Sequence, residues 1–266
     1  MIPVFLMGCA QGPMIEEVPA DLPTRAAVAD VPIIKQEDFY CGPAALAMTM
    51  GWGGAQVDQE ALARLMFSPG AKGTYRTDML GAARREGQLA VEVEGLKMVL
   101  GEVAAGHPVI ILQNLGLTWA PVWHYAVVVG YDAAKEEIYL HSGQHDRMTM
   151  DLVTFQRTWA RAEDWAVVVM PPGQLPELAE EWEVLRAAAG LERAGRHREA
   201  ERAYAAGARR WPGSWLWQFG LGNARYNQGD LRGARQAFRR ALAIDGTVPE
   251  VRNNLAQVEA ELAGGS

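Results

Sequence analysis

The sequence predicts an α+β domain with an antiparallel sheet, followed by an all-α domain. Three observations lead there. Between residues 31 and 172 helical patterns come first and short apolar runs follow, an order that favours an antiparallel α+β arrangement over alternating βαβ units. After Pro171-Pro172-Gly173 the composition turns to Ala, Glu, Arg and Leu with helical periodicity to the end. That second part also repeats itself: LERAGRHREAERAYAAGARRWPGS and ARYNQGDLRGARQAFRRALAIDGT align at an offset of 34 residues.

Within the first part, Cys41-Gly42-Pro43 opens a run of good helix formers, AALAMTM, and two amphipathic stretches follow at 59–66 and 77–86. Four apolar runs then read as buried strands: PVIILQNL (108–115), HYAVVVGYD (124–132), EIYLHS (137–142) and DWAVVVMPP (164–172). Each is rich in Val, Ile or Tyr and bounded by Gly, Pro or Asp.

In the second part, Gly195 aligns with Gly229, Ala200 with Ala234, Tyr204 with Phe238 and Gly207 with Ala241. Small residues recur where two helices approach and aromatics where they fill space. This pattern, over about 181–248, resembles the tetratricopeptide repeat, a helix-turn-helix unit, although Gly246 stands where Pro212 ends the first repeat. Residues 249–263 read as a third first-helix that caps the stack. Two repeats and a cap fall short of the roughly three needed for an independent array, so the repeats are expected to lean on the first domain or on a partner. Trp211, Trp215 and Trp217 are expected to pack between helices, with an aromatic binding surface as the alternative.

The 266 residues are 49% hydrophobic and 21% charged, a globular composition, with a formal net charge of -7. That charge excludes broad attraction to nucleic acid, and the Arg-rich stretches at 196–210 and 232–240 read as solvated helix faces. Two cysteines are too few for a disulfide scaffold. No His, Asp or Glu set has metal-ligand spacing, and no GxxxxGK[ST] phosphate loop is present, so neither metal nor cofactor is expected.

Cys41 is the chemical focus. A thiol attacks a carbonyl as thiolate, and an ordinary cysteine with a pKa near ~8.5 is mostly protonated at neutral pH. A helix starting at Cys41 would place the sulfur at the positive end of the helix dipole, beside free backbone N–H groups suited to an oxyanion. Gln36 could add a side-chain amide. A buried structural cysteine is the default for a lone thiol, so a histidine base must come from elsewhere in the fold. Of five histidines, His124 opens the strongest strand signal and is the candidate base. His107 borders a turn, His141 and His145 lie just past a strand near the same region, and His197 belongs to a solvated helix face.

Gln36-x4-Cys41-Gly-Pro-Ala-Ala-Leu, followed by His124-Tyr-Ala-Val-Val-Val-Gly-Tyr-Asp, resembles the double-glycine cysteine peptidases. These are papain-like domains that trim bacteriocin leader peptides on ABC exporters, together with their stand-alone relatives. The resemblance covers about 31–172 and implies Cys41 as nucleophile, His124 as base and Gln36 as oxyanion donor. Those peptidases place an Asp at the end of the next strand to orient the imidazole; here Ser142 falls at that position. The third member is therefore Ser142 itself, or Asp146 or Gln144 from the following loop; Asp132 lies too far down the strand.

The first nine residues, MIPVFLMGC, resemble the end of a bacterial lipoprotein signal, with Cys9 as the lipid-modified residue. The positively charged start of such signals does not precede it, which leaves an upstream start codon or a trimmed chain as alternatives. Ala10 after Cys9 would favour the outer membrane, with the protein on the periplasmic side. The expected organisation is a signal remnant at 1–9, a tether at 10–30, a papain-like peptidase domain at 31–173 and a tetratricopeptide repeat domain at 174–266.

The expected function is peptide-bond cleavage through a Cys41 acyl-enzyme, with the repeats recruiting a peptide or protein substrate or partner. The alternatives are a catalytically weak domain serving as an envelope scaffold, and an acyl transferase using the same cysteine.

Overall fold

The structure, a computed structural model, describes residues 15–35, 40–71, 73–143 and 145–264, with the backbone alone at 71, 145 and 146. Strand β1 (Arg25–Ala27) is followed by helices α1 (Cys41–Trp52), α2 (Gln59–Met66) and α3 (Arg76–Arg85). Next come β2 (Leu89–Val93), α4 (Leu96–Ala104), β3 (Val109–Asn114), β4 (Trp123–Asp132), β5 (Glu137–Ser142), β6 (His145–Asp151), α5 (Leu152–Ala160) and β7 (Ala166–Met170). Helices α6 (Glu181–Arg193), α7 (His197–Arg210), α8 (Trp215–Asn227), α9 (Leu231–Ile244) and α10 (Pro249–Gly264) close the chain.

The sheet runs β2-β7-β3-β4-β5-β6 with every described pairing antiparallel, and β1 joins the end of β4. Both faces of the sheet are covered. Tyr125, Val127 and Val129 of β4 point into a core shared with Leu46, Leu62 and Met79 of α1 to α3. Ala126 and Val128 point the other way, among Val99, Phe155 and Val184 of α4, α5 and α6. Burial on both faces is why these strands read as continuous apolar runs, without the alternation of a half-solvated strand.

Helix α1 is buried over nine consecutive residues, Gly42 to Met50. A helix that is apolar all round belongs in the interior, and its position there fixes the direction in which its N-terminus points.

The tether expected at 10–30 is corrected for its described part. Arg25, Ala26 and Ala27 pair with Asp132, Tyr131 and Gly130 of β4, and Val18 and Leu22 pack on the core. Gln156 exchanges hydrogen bonds of 2.7 and 2.9 Å with the backbone of Glu16. Proline spacing hides this because a three-residue strand carries almost no local signal; the pairing partner supplies the order.

Alternate repeat helices begin at Glu181, Trp215 and Pro249, and at His197 and Leu231, intervals of 34 residues. The core beneath the sheet continues through Val184 and Leu191 to Tyr204 and Trp217, so the repeats rest on the first domain. Trp217 is fully buried, stacks on Trp211 with ring centroids 5.1 Å apart, and donates its indole N–H to Glu181. Trp211 and Trp217 pack as expected.

Between the domains, the buried carboxylate of Glu102 accepts hydrogen bonds from the backbone N–H groups of Glu177 (3.1 Å) and Leu178 (2.7 Å). It also meets His107 Nδ1 at 2.7 Å. Arg210 donates to the carbonyls of Pro176 and Glu177. Among the described residues no helix is long and apolar enough to cross a membrane.

Candidate active site

Cys41 is the first residue of α1, and no side chain caps that helix start. The first-turn N–H groups of an uncapped helix lack intrahelical partners. Gly42 is required here because a Cβ would come within 2.6 Å of Thr74 Oγ1, in the loop leading to α3. The half-buried thiol is pulled in two directions. Burial, the larger cause, raises its pKa above the ordinary value, while the backbone N–H groups of Tyr125, Gly42 and Cys41 lower it. The helix start and N–H groups thus act as the sequence suggests, but desolvation outweighs them and favours the neutral thiol.

Tyr125 N–H is the contact from the sheet, and Tyr125 follows His124 directly. β4 and β5 pair from Val127 and His141 onward, so residues 123–126 run beyond that pairing. A register shift between Leu140 and Ser142 redirects the end of β5 at this notch. There His124 Nε2 lies 2.7 Å from Ser142 Oγ. Burial lowers the His124 pKa below the ordinary 6.5, favouring neutral imidazole. Among the described residues no hydrogen bond joins Cys41 to His124. Opposite His124 across the ladder, buried Gln113 donates to Thr158 Oγ1 at 2.7 Å and backs the strand.

The other histidines are elsewhere or otherwise occupied. His107 serves the interdomain contact with Glu102, His141 is buried beside Val127, and His197 begins α7. Asp132 lies at the far end of β4, where it accepts from Lys135 N–H. Gln36, Gln144 and Cys9 lie outside the described residues, as do the side chains of His145 and Asp146.

Several contributors were not legible in the sequence. Tyr125 supplies the sheet N–H that lowers the Cys41 pKa, and its hydroxyl donates to Thr74 O at 3.1 Å, tying β4 to the loop that meets Gly42. The same residues border a cleft of about 610 Å³ lined by Thr74, Tyr75, Leu112, Trp123 and Tyr125, with Arg76 and Glu163 at its edge. Adjacency to His124 was the available signal for Tyr125 and Trp123; Thr74 and Glu163 carried none.

A cysteine at a helix start, beside a strand that carries a hydrogen-bonded histidine, is the arrangement that thiol chemistry calls for. Residues 28–167, more than half of the chain, match the model described as the Peptidase_C39 like family, and the protein belongs to that family. Residues 185–249 match a tetratricopeptide repeat model.

Among solved structures, the chain is similar to a Bacillus anthracis protein provisionally assigned as a C39-like peptidase (21% identity, TM-score 0.47, 55% of this chain and 97% of that one). It is also similar to a double glycine motif protease from an AMS/PCAT transporter, solved with its leader peptide (22%, 0.42, 54% and 93%). A third is the peptidase domain of Streptococcus ComA, a bi-functional ABC transporter of a quorum sensing pathway (20%, 0.44, 53% and 99%). No curated protein matches the chain.

Proposed function

We propose that the protein is a cysteine peptidase working through a Cys41 acyl-enzyme. The observation that carries this reading is the start of α1: Cys41 sits there, its thiolate favoured by the backbone N–H of Tyr125, the residue after a histidine hydrogen-bonded to Ser142. Because burial favours both neutral forms, the resting pair is thiol and imidazole, and the proton moves as the reaction proceeds.

With Nε2–H donating to Ser142 Oγ, Nδ1 of His124 accepts the thiol proton while sulfur bonds to the peptide carbonyl carbon. The oxyanion is held by N–H groups at the start of α1 and by Gln36. As the C–N bond breaks, the imidazolium gives its proton to the leaving amine. Water then attacks the thioester, His124 takes one of its protons, and the acid product leaves as the proton returns to sulfur.

The repeats recruit a peptide or protein partner. Cys9 carries a lipid after signal cleavage and holds the enzyme at the periplasmic face of an outer membrane. A second reading, a weakly catalytic scaffold, has in its favour the Ser142 hydroxyl at His124 Nε2, which stabilises an imidazolium far less than a carboxylate would.

The full chain and its Cys41→Ala variant, incubated with a library of proteome-derived peptides, test the main reading. New termini generated by wild type alone are expected; identical peptide patterns would sink it. Labelled fatty acid incorporated in bacterial cells, and lost in Cys9→Ser, tests the anchor.

A further inference from the structure

The cleft bordered by Thr74 and Tyr125 does not end at its own rim. Arg76 and Glu163 line it, and they also line a second cleft of about 620 Å³ between the first domain and the first repeat helix. Their ion pair, 2.8 Å between Nη1 and Oε2, is the boundary between the two. Arg76 is held there by a hydrogen bond to Ala162 O and by the Trp165 ring, whose centroid lies 6.0 Å from its guanidinium carbon.

The two clefts differ in character. The first is lined mainly by Tyr75, Leu112, Trp123 and Tyr125. The second brings six carboxylates together with two arginines, Arg76 and Arg186. Both arginines are already engaged: Arg76 pairs with Glu163, and Arg186 with Glu183 and Glu92. Glu94 and Glu180 are exposed on opposite walls of this cleft, one following β2 and the other preceding α6. Neither has an ion pair among the described residues.

We propose that the two clefts form one substrate groove, in which the aromatic half receives the residues around the scissile bond and the interdomain half receives a lysine- or arginine-bearing segment of the same extended peptide. The proposal rests on the peptidase reading for the position of the scissile bond. It makes α6 part of the substrate site, so the repeat domain selects substrate directly. The surplus of carboxylates over guanidinium groups fixes the sign of the ligand, and the shared Arg76 and Glu163 make the two halves continuous.

The test uses the full chain with Cys41→Ala and fluorescein-labelled peptides that share a Leu-Gly-Gly core. Either side of the core carries three lysines or three glutamates. Fluorescence anisotropy is expected to show at least one lysine peptide binding about tenfold or more tighter than its glutamate counterpart, with a preference that fades as salt rises. Glu94→Lys/Glu180→Lys should abolish that preference at an unchanged unfolding midpoint, and Glu94→Gln/Glu180→Gln should reduce it.

Equal binding of both charge types, or a preference that survives the charge reversal, would overturn the groove. Iodoacetamide alkylation of Cys41 in a Cys9→Ser chain keeps the two readings apart. An inert Cys41 with an intact lysine preference would remove the catalysis and leave the binding groove. A reactive Cys41 without the preference would remove the groove alone.

Discussion

Ser142 Oγ lies 2.7 Å from His124 Nε2, so the imidazole is oriented by a hydroxyl where the double-glycine peptidases resembled by this sequence use a carboxylate. A hydroxyl fixes the ring but gives little stabilisation to an imidazolium. Ser142→Asp should therefore raise the His124 pKa, as an adjacent opposite charge does. An NMR titration of the His124 ring protons checks this; an unchanged midpoint would mean that position 142 does not govern the imidazole.

His124 also links pH to stability. Its folded pKa lies below 6.5 because it is buried, so below that pH the unfolded chain binds the proton more readily. The stability contributed by neutral His124 is complete above about pH 6.5 and is lost as pH falls through the folded value. Urea unfolding of wild type and His124→Gln should show a gap that depends on pH only below about 6.5; parallel curves would contradict the assignment.

Glu102 is expected to be the chief fastener of the interdomain linker. Glu102→Ala would strip two backbone N–H groups and His107 of their acceptor, at a cost of about 3 kcal/mol. The variant should unfold at lower urea and be cut by protease within 171–180 faster than the wild type. Wild-type resistance in the variant would show that the other contacts suffice.

The repeat domain is close-packed at Gly207, where a Cβ would lie 2.1 Å from the Trp217 ring. Trp217 is stacked on Trp211 and cannot move aside freely. Gly207→Ala should destabilise by about 1–3 kcal/mol, with a shift in tryptophan emission. A neutral substitution would show that the helices can separate at little cost.

Strands β3, β4, β5 and β7 were legible because burial on both faces leaves runs such as AVVVGY and AVVVM in the chain. Strand β6, HDRMTMD, was not: at the sheet edge it is polar and resembles a loop. Helices α4 and α5 are short, and Gly101 in α4 looks like a breaker. Its real cause is Leu178, whose Cδ1 would stand 2.0 Å from a Cβ at that position. Cys41, His124 and Ser142 could be named from spacing and resemblance. The Tyr125 N–H, the Thr74 wall and the Arg76–Glu163 boundary depend on segments far apart in sequence, and no local pattern announces them.

The most direct test of the central claim, that Cys41 and His124 act as one unit, is the rate of Cys41 alkylation by iodoacetamide against pH in a Cys9→Ser chain, with and without His124→Ala. Wild type should show a first rise with a midpoint below 6.5, where His124 becomes neutral and accepts the thiol proton, followed by a plateau. His124→Ala should lose that step and react only as the thiol ionises by itself, above its ordinary value because it is buried. Superimposable profiles would contradict the pairing and leave the scaffold reading in its place.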